Sequence, residues 1–294
     1  MIEIRIKGGL GNQLFQYAVG YATAKRLHTD LVQDISFFPG QTLRGYKLKS
    51  LKTDFTKTEN GSSSKKAELV KNKYLNKFLR IRDHEVISLG NGKKYILETK
   101  SDMIGAIQSE KCRNIYIDGY YQSEKYFKDY RDDLLRQYVP EYQPEEEYIN
   151  ALRDIEDCNS VAVHVRRGDF LKAQNDPNPN HYLLDAPYYH NALAYSDAQI
   201  ASPTYFWFSD DINWVKQNFG NHDNFHFVSL HTAHADIDEM MLMKNCHHII
   251  TANSTFSWWA AWLNEHEDAI RICPAKRYGN KEMIPESWIK VKVE

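Results

Sequence analysis

The chain has 294 residues, 42% of them hydrophobic and 26% charged, with a formal net charge of −2. That is ordinary globular composition with room for two cores, which excludes a disordered chain and argues against nucleic acid as the main partner. The four cysteines, Cys112, Cys158, Cys246 and Cys273, stand far apart without a C-x-x-C, so they read as buried thiols of a reducing compartment, not as a disulfide frame or zinc site.

At the N-terminus Ile2, Ile4 and Ile6 alternate with charged residues, the pattern of a strand with one buried face and no secretory apolar core. No apolar run reaches the length of a bilayer span, so the expectation is a cytoplasmic protein. Gly8-Gly9-Leu10-Gly11-Asn12-Gln13 follows, then a helix from Leu14 to His28. Strand, glycine loop and helix together aim backbone N–H groups and a helix dipole at an anion. The dinucleotide fingerprint G-x-G-x-x-G fails at Leu14, however, and a turn needed only for backbone geometry fits equally well.

From Thr56 to Lys77 the chain is polar and lysine-rich. Beyond its loop, Leu69, Tyr74, Leu75, Phe78 and Leu79 suit a basic amphipathic helix. Such a face is compatible with weak peripheral contact to anionic lipid at the inner face of a bacterial membrane, although a solvated face packed on its own domain is the commoner use. Ile115 to Tyr121 alternates as a strand and ends in an aromatic turn. Ring faces and polar tips there suit stacking on a sugar; packing at the sheet rim is the plainer use. A helix is expected from Glu124 to Tyr138, and the two prolines of Val139 to Pro144 break it. That break divides the chain into domains 1–143 and 144–294.

Past the break, helix and strand signals alternate. Helices are expected at 145–155, 187–197, 212–219, 236–246 and 256–265, and strands at 161–165, 205–208, 225–230 and 248–252, with a final strand at 270–273. This βαβ order means a parallel sheet covered by helices. The long loop 169–185 is of a length usually kept for function.

Two strand ends carry the chemistry. The apolar run Val161-Ala162-Val163 leads into His164-Val165-Arg166-Arg167-Gly168-Asp169, at the sheet edge where α/β folds bind ligands. Adjacent guanidiniums match phosphate oxygens, while an Arg–Asp ion pair tying down a turn is the plainer use. Asn253-Ser254-Thr255 joins a buried strand to a helix carrying Trp258, Trp259 and Trp262, and offers hydroxyls and N–H groups to an anion, or simply a helix cap. Asp210-Asp211 reads as Mg²⁺ ligands or, more commonly, as a cap. His222, His226, His231, His234, His247 and His248 have no Cys or Glu at zinc spacing.

Gly-Gly-Leu-Gly-Asn-Gln-Leu-Phe-Gln at 8–16, His-Val-Arg-Arg-Gly-Asp at 164–169, Phe-Ser-Asp-Asp at 208–211 and Asn-Ser-Thr-Phe-Ser-Trp-Trp at 253–259 together resemble the bacterial α-1,2-fucosyltransferases of glycosyltransferase family 11. The resemblance implies an α/β fold of GT-B type: two Rossmann-like domains with parallel sheets facing a cleft, 1–143 on the acceptor side and 144–294 binding the donor. It implies inverting transfer of L-fucose from GDP-L-fucose to the 2-hydroxyl of a terminal β-galactoside, on an oligosaccharide or glycolipid, without metal or further cofactor. By the same resemblance Arg166 binds the diphosphate and supports its departure, and His164 and Asp169 are its neighbours in the site. Asn253, Ser254 and Thr255 meet the phosphates, Asp238 touches the nucleoside, and Asn12 reaches the donor from the N-terminal domain. Asp169 is a candidate base, or merely the ion-pair partner of the two arginines. A catalytically inactive nucleotide- or glycan-binding protein of the same fold is the alternative, and an NAD-linked oxidoreductase is disfavoured by the incomplete glycine pattern.

Overall fold

A computed structural model describes residues 1–42, 45–54, 56–58, 61–71, 86–88, 92–98, 103–172, 182–275 and 281–294. The chain divides into two units, Met1–Glu141 and Tyr142–Glu294. In the first unit β1 (Ile2–Arg5), β2 (Leu31–Asp34), β3 (Thr56–Thr58), β4 (Val86–Ser88), β5 (Lys94–Leu97) and β6 (Ile115–Asp118) form one sheet in the order β3-β2-β1-β6-β5-β4. Its pairs are parallel except β4–β5. The sheet is parallel as expected apart from β4, which runs antiparallel at its edge. The step from Ser88 to Lys94 is too short for a parallel crossover, which takes about a dozen residues or more.

Helix α1 (Leu10–Arg26) starts four residues earlier than expected, because the Gly9 carbonyl already accepts the N–H groups of Asn12 and Gln13. The glutamines of the motif pin the loop before it. Gln13 donates to the carbonyls of Gly8 and Gly45 and accepts from the Lys47 N–H, while Gln16 accepts from the Lys7 N–H. Of the basic stretch from Thr56, residues 56–58, expected as loop, form β3, and 61–71 hold α2 (Ser62–Lys71), whose Ala67 packs in a cluster with Tyr95, Leu97 and Tyr116. Tyr74, Leu75, Phe78, Leu79 and the side chain of Leu69 lie outside the described residues. After α3 (Ile104–Ser109), the helix expected from 124 to 138 is instead two 3₁₀ turns and a short α4 (Arg131–Gln137). Phe127 breaks it by leaving helical geometry at φ −144°, which buries its ring against Phe15.

The second unit is a sheet of β7 (Ser160–Val165), β8 (Thr204–Ser209), β9 (Phe225–Val228), β10 (His248–Ile250), β11 (Arg271–Pro274) and β12 (Ile289–Val291). Its order is β12-β11-β10-β7-β8-β9, and every pair is parallel. The expected final strand at 270–273 is therefore not the last. β12 adds one more, too short to carry a sequence period. The helices are α5 (Glu146–Glu156), α6 (Gly168–Lys172), α7 (Ala186–Gln199), α8 (Ile212–Phe219), α9 (Ala235–Asn245) and α10 (Thr255–Leu263). All of β7 is buried, as a strand covered by helices on both faces must be, hence its unbroken apolar run. The long loop holds α6 at its start, and residues 173–181 lie outside the described ones. Strand order reverses between β7 and β10, the point where parallel sheets open a ligand crevice. Among the described residues no helix is long and apolar enough to cross a membrane.

Candidate active site

The two arginines leaving β7 are held differently. Arg166 Nη1 lies 3.0 Å from Asp210 Oδ2, and both side chains are a quarter exposed. Arg167 turns inward: its guanidinium carbon sits 3.9 Å above the ring of Trp214, with Nε 3.5 Å from Asp211 Oδ2. Its own N–H donates to Asp210 Oδ1 at 2.8 Å. Asp211 caps α8 through the Trp214 N–H. The Asp210-Asp211 pair is thus spent on arginines and a helix cap. A Cβ on Gly168 would stand 2.8 Å from Asp210 Oδ2, so this residue lets the chain wrap around the carboxylate. Among the described residues no group of three or more His, Cys, Asp or Glu is arranged to hold a metal. Asp169 lies in α6, with its side chain outside the described residues.

The other half of the site follows β10. Ser254 caps α10, accepting the Phe256 N–H, and Ser257 accepts from the Ala252 N–H. Trp258 and Trp259 behind them are fully buried, and Trp258 Nε1 donates to the Met283 carbonyl. The N-terminus of α10 is therefore fixed before any ligand arrives. Asn253 donates to the Tyr182 carbonyl at 2.7 Å, and its buried Oδ1 has no hydrogen bond among the described residues. His164 Nδ1, likewise buried, is in the same condition, and the ring lies 5.5 Å from that of Phe256. Burial, with the Arg166 charge beside it, pushes the His164 imidazolium down to about 3, so this ring is neutral at physiological pH. Buried polar atoms left unmatched at a switch point are what a polar ligand would satisfy.

Asp238 and Glu239, on α9, part company. Asp238 is 2% exposed, and its two oxygens accept from the Tyr142 and Thr232 hydroxyls. Glu239 accepts the Leu230 N–H, and burial, with Asp236, Asp210 and Asp238 adding to it, raises its carboxyl to about 7. The sequence reading passed over Glu239, for its signal comes from surroundings rather than spacing. Asn12 belongs to the first unit, at the start of α1, where its Oδ1 accepts from Gln122 Nε2 at 2.9 Å.

A model of glycosyl transferase family 11 matches residues 1–291. An Escherichia coli alpha-1,2-colitosyltransferase is 31% identical, over 99% of either chain. The Bos taurus galactoside 2-alpha-L-fucosyltransferase SEC1 is 28% identical across 51% of this chain and 42% of its own. In fold the chain resembles a mutant of Arabidopsis thaliana FUT1 in complex with GDP, with a TM-score of 0.53 and 13% identity, covering 99% of this chain and 73% of that one.

Proposed function

The chain belongs to glycosyltransferase family 11, and we propose that the group it transfers is L-fucose, taken from GDP-L-fucose to the 2-hydroxyl of a terminal β-galactoside with inversion and without a metal. In this reading the second unit holds the donor and the first the acceptor. The observation that carries it is the row of groups at the β7/β10 reversal: Arg166 steadied by Asp210, the fixed N-terminus of α10, and the unmatched His164 Nδ1 and Asn253 Oδ1. Breaking the fucosyl–phosphate bond builds negative charge on GDP, and donors already aimed at that charge lower the barrier. Arg166 supplies a fork for the diphosphate oxygens, Ser254 and Thr255 the free N–H groups of a helix start. The neutral His164 binds without adding charge. Glu239 is the acid we assign to the nucleoside, because guanine presents adjacent N–H donors on one edge. Asp238, with its oxygens taken, steadies the turn into α9. As the acceptor hydroxyl attacks it sheds a proton, and Asp169 is the candidate to receive it.

A second reading has an observation of its own. The 31% identity to a colitosyltransferase, over nearly the full length of both chains, favours the 3-deoxy relative of fucose as the transferred sugar. One experiment separates the readings: incubation with GDP-fucose or GDP-colitose and a panel of β-galactosides, with and without EDTA, followed by mass spectrometry. A fucosylated product insensitive to EDTA is expected. Product from GDP-colitose alone establishes the second reading, loss on chelation overturns metal independence, and no product from either donor leaves a nucleotide- or glycan-binding protein.

A further inference from the structure

In the first unit β1 and β6 run parallel side by side at the centre of the sheet, so their C-terminal ends share one edge. There the chain runs Asp118-Gly119-Tyr120-Tyr121-Gln122, around a corner that the donor chemistry does not use.

The corner is strained and held from several sides. Tyr121 has φ +49°, a left-handed conformation that a bulky side chain rarely adopts. Its ring is fully buried, edge-on to Tyr126 at 5.5 Å, and its hydroxyl donates to the Ile96 carbonyl at 3.2 Å. Glu98 accepts the N–H groups of both Tyr120 and Tyr121, at 2.6 and 3.0 Å. Gly119 lies so close to Glu98 that a Cβ would come within 2.4 Å of the glutamate Cβ. Strain of this kind persists only where the surroundings compel it, and it gathers at ligand clamps.

The corner turns one tyrosine in and the next one out. Tyr120 is 40% exposed, one of few large hydrophobic side chains among the described residues to be so. Lys7, from the end of β1, stands 5.1 Å from its ring centroid and donates to Asp118 at 2.6 Å. Gln122, two residues on, holds Asn12. A flat, part-exposed ring with an ammonium and an amide near it is the chemistry that binds a pyranose. In galactose the C–H bonds at C3, C4 and C5 form one apolar face that lies on an aromatic ring, while the hydroxyls around it seek charged and amide partners.

We infer that Tyr120 is the platform on which the galactosyl ring of the acceptor stacks, with Gln122 and Lys7, which the buried Asp118 holds in place, as the polar groups beside it. The inference rests on the galactoside reading above and gives that reading a subsite.

The test compares wild type, Tyr120→Ala and Tyr120→Phe by steady-state kinetics with lactose, and by saturation-transfer NMR with methyl β-D-galactoside in the presence of GDP. Losing the ring should raise the acceptor KM about five- to tenfold, with the donor KM and the Phe variant within about twofold of wild type. The galactoside H3, H4 and H5 enhancements should vanish in the Ala variant and persist in the Phe variant. An unchanged acceptor KM overturns the inference, as does a rise in the donor KM alone, which would mean that the ring stacks on the nucleotide. If wild type forms no product, the transferase reading fails by itself and the NMR contrast still decides. Enhancement lost on removing the ring supports the platform; enhancement that is equal in the two proteins, or absent from wild type, overturns it.

Discussion

Adjacent arginines with opposite roles make the sharpest prediction. Arg166 is the more exposed, with a side chain at 28% against 9% for Arg167. Replacing Arg166 by Ala removes the donor proposed to face the departing diphosphate. By analogy with a single oxyanion-hole donor, that should lower kcat by about 10²–10³-fold, or ~3–4 kcal/mol of transition-state stabilisation. Stability should hardly move, since a partly exposed ion pair such as Arg166–Asp210 contributes ~0–1 kcal/mol. Arg167→Ala reverses the profile. It uncovers the Trp214 ring, removes the partner of Asp211 and opens a gap where the arginine stem packed. A desolvated cation–π contact and its packing together come to about 2 kcal/mol, which lowers Tm by about 4–8 °C in a domain of this size. The assay pairs initial rates, from sugar nucleotide and β-galactoside, with calorimetry on the same preparations. Near-wild-type turnover of the Arg166 variant would refute the role given to it. Matching losses in both variants, in rate and in Tm alike, would refute the division of labour.

Gly168→Ala should act on Arg166 at one remove, because the added Cβ at 2.8 Å must displace the Asp210 carboxylate that steadies it. An overpacking cost of ~1–3 kcal/mol and a fall in kcat with little change in donor KM are expected, and wild-type kcat would show that Asp210 adjusts without consequence. Glu239 makes stability depend on pH. Its carboxyl rises from 4.5 to about 7 on folding, so the folded state keeps a proton that the unfolded chain gives up in that window, and stability is lost as pH rises through it. Glu239→Gln keeps the acceptor for the Leu230 N–H and removes the charge. Its advantage over wild type should be small at pH 4.5 and grow to about 1–3 kcal/mol by pH 8, read from thermal melts; a difference flat in pH counts against the buried charge. Asn264 is fully buried and binds the carbonyls of Lys244 and Cys246 while accepting from Arg271 and the His266 N–H. Asn264→Ala should cost about 2–4 kcal/mol in urea denaturation, and a loss below about 1 would mean that water replaces the hub.

The strands legible in the sequence are those whose burial leaves a simple pattern: the alternating β1 and the wholly apolar β7. The caps were legible because Asp211 and Ser254 directly precede the helices they cap. The helix expected at 124–138 failed because apolar spacing alone does not separate one helix from two 3₁₀ turns and a bend at Phe127. Glu239 and the partners of the arginines escaped for a different reason: they depend on what lies across the sheet. Local spacing offered Asp169, whose side chain lies outside the described residues, but gave no sign that Asp210 and Asp211, from the next strand, also pair with the arginines.

Register supplies what spacing lacks. Val165 pairs with Ser209 and Val163 with Ile250. Carried past the strand ends, those registers set Arg166 opposite Asp210 on one side and Asn253 on the other. Three positions scattered over the sequence thereby become one row across the sheet edge. The first unit obeys the same arithmetic. Ile4 pairs with Ile117, and three residues further along each chain Lys7 meets Tyr120, its ammonium 5.1 Å from the ring. Each unit thus sets a cation beside a second group just past its central strands, the proposed anion-binding row in one and the proposed aromatic platform in the other. The two sheets differ in strand order, and they present different chemistry because the residues just past their central strands differ.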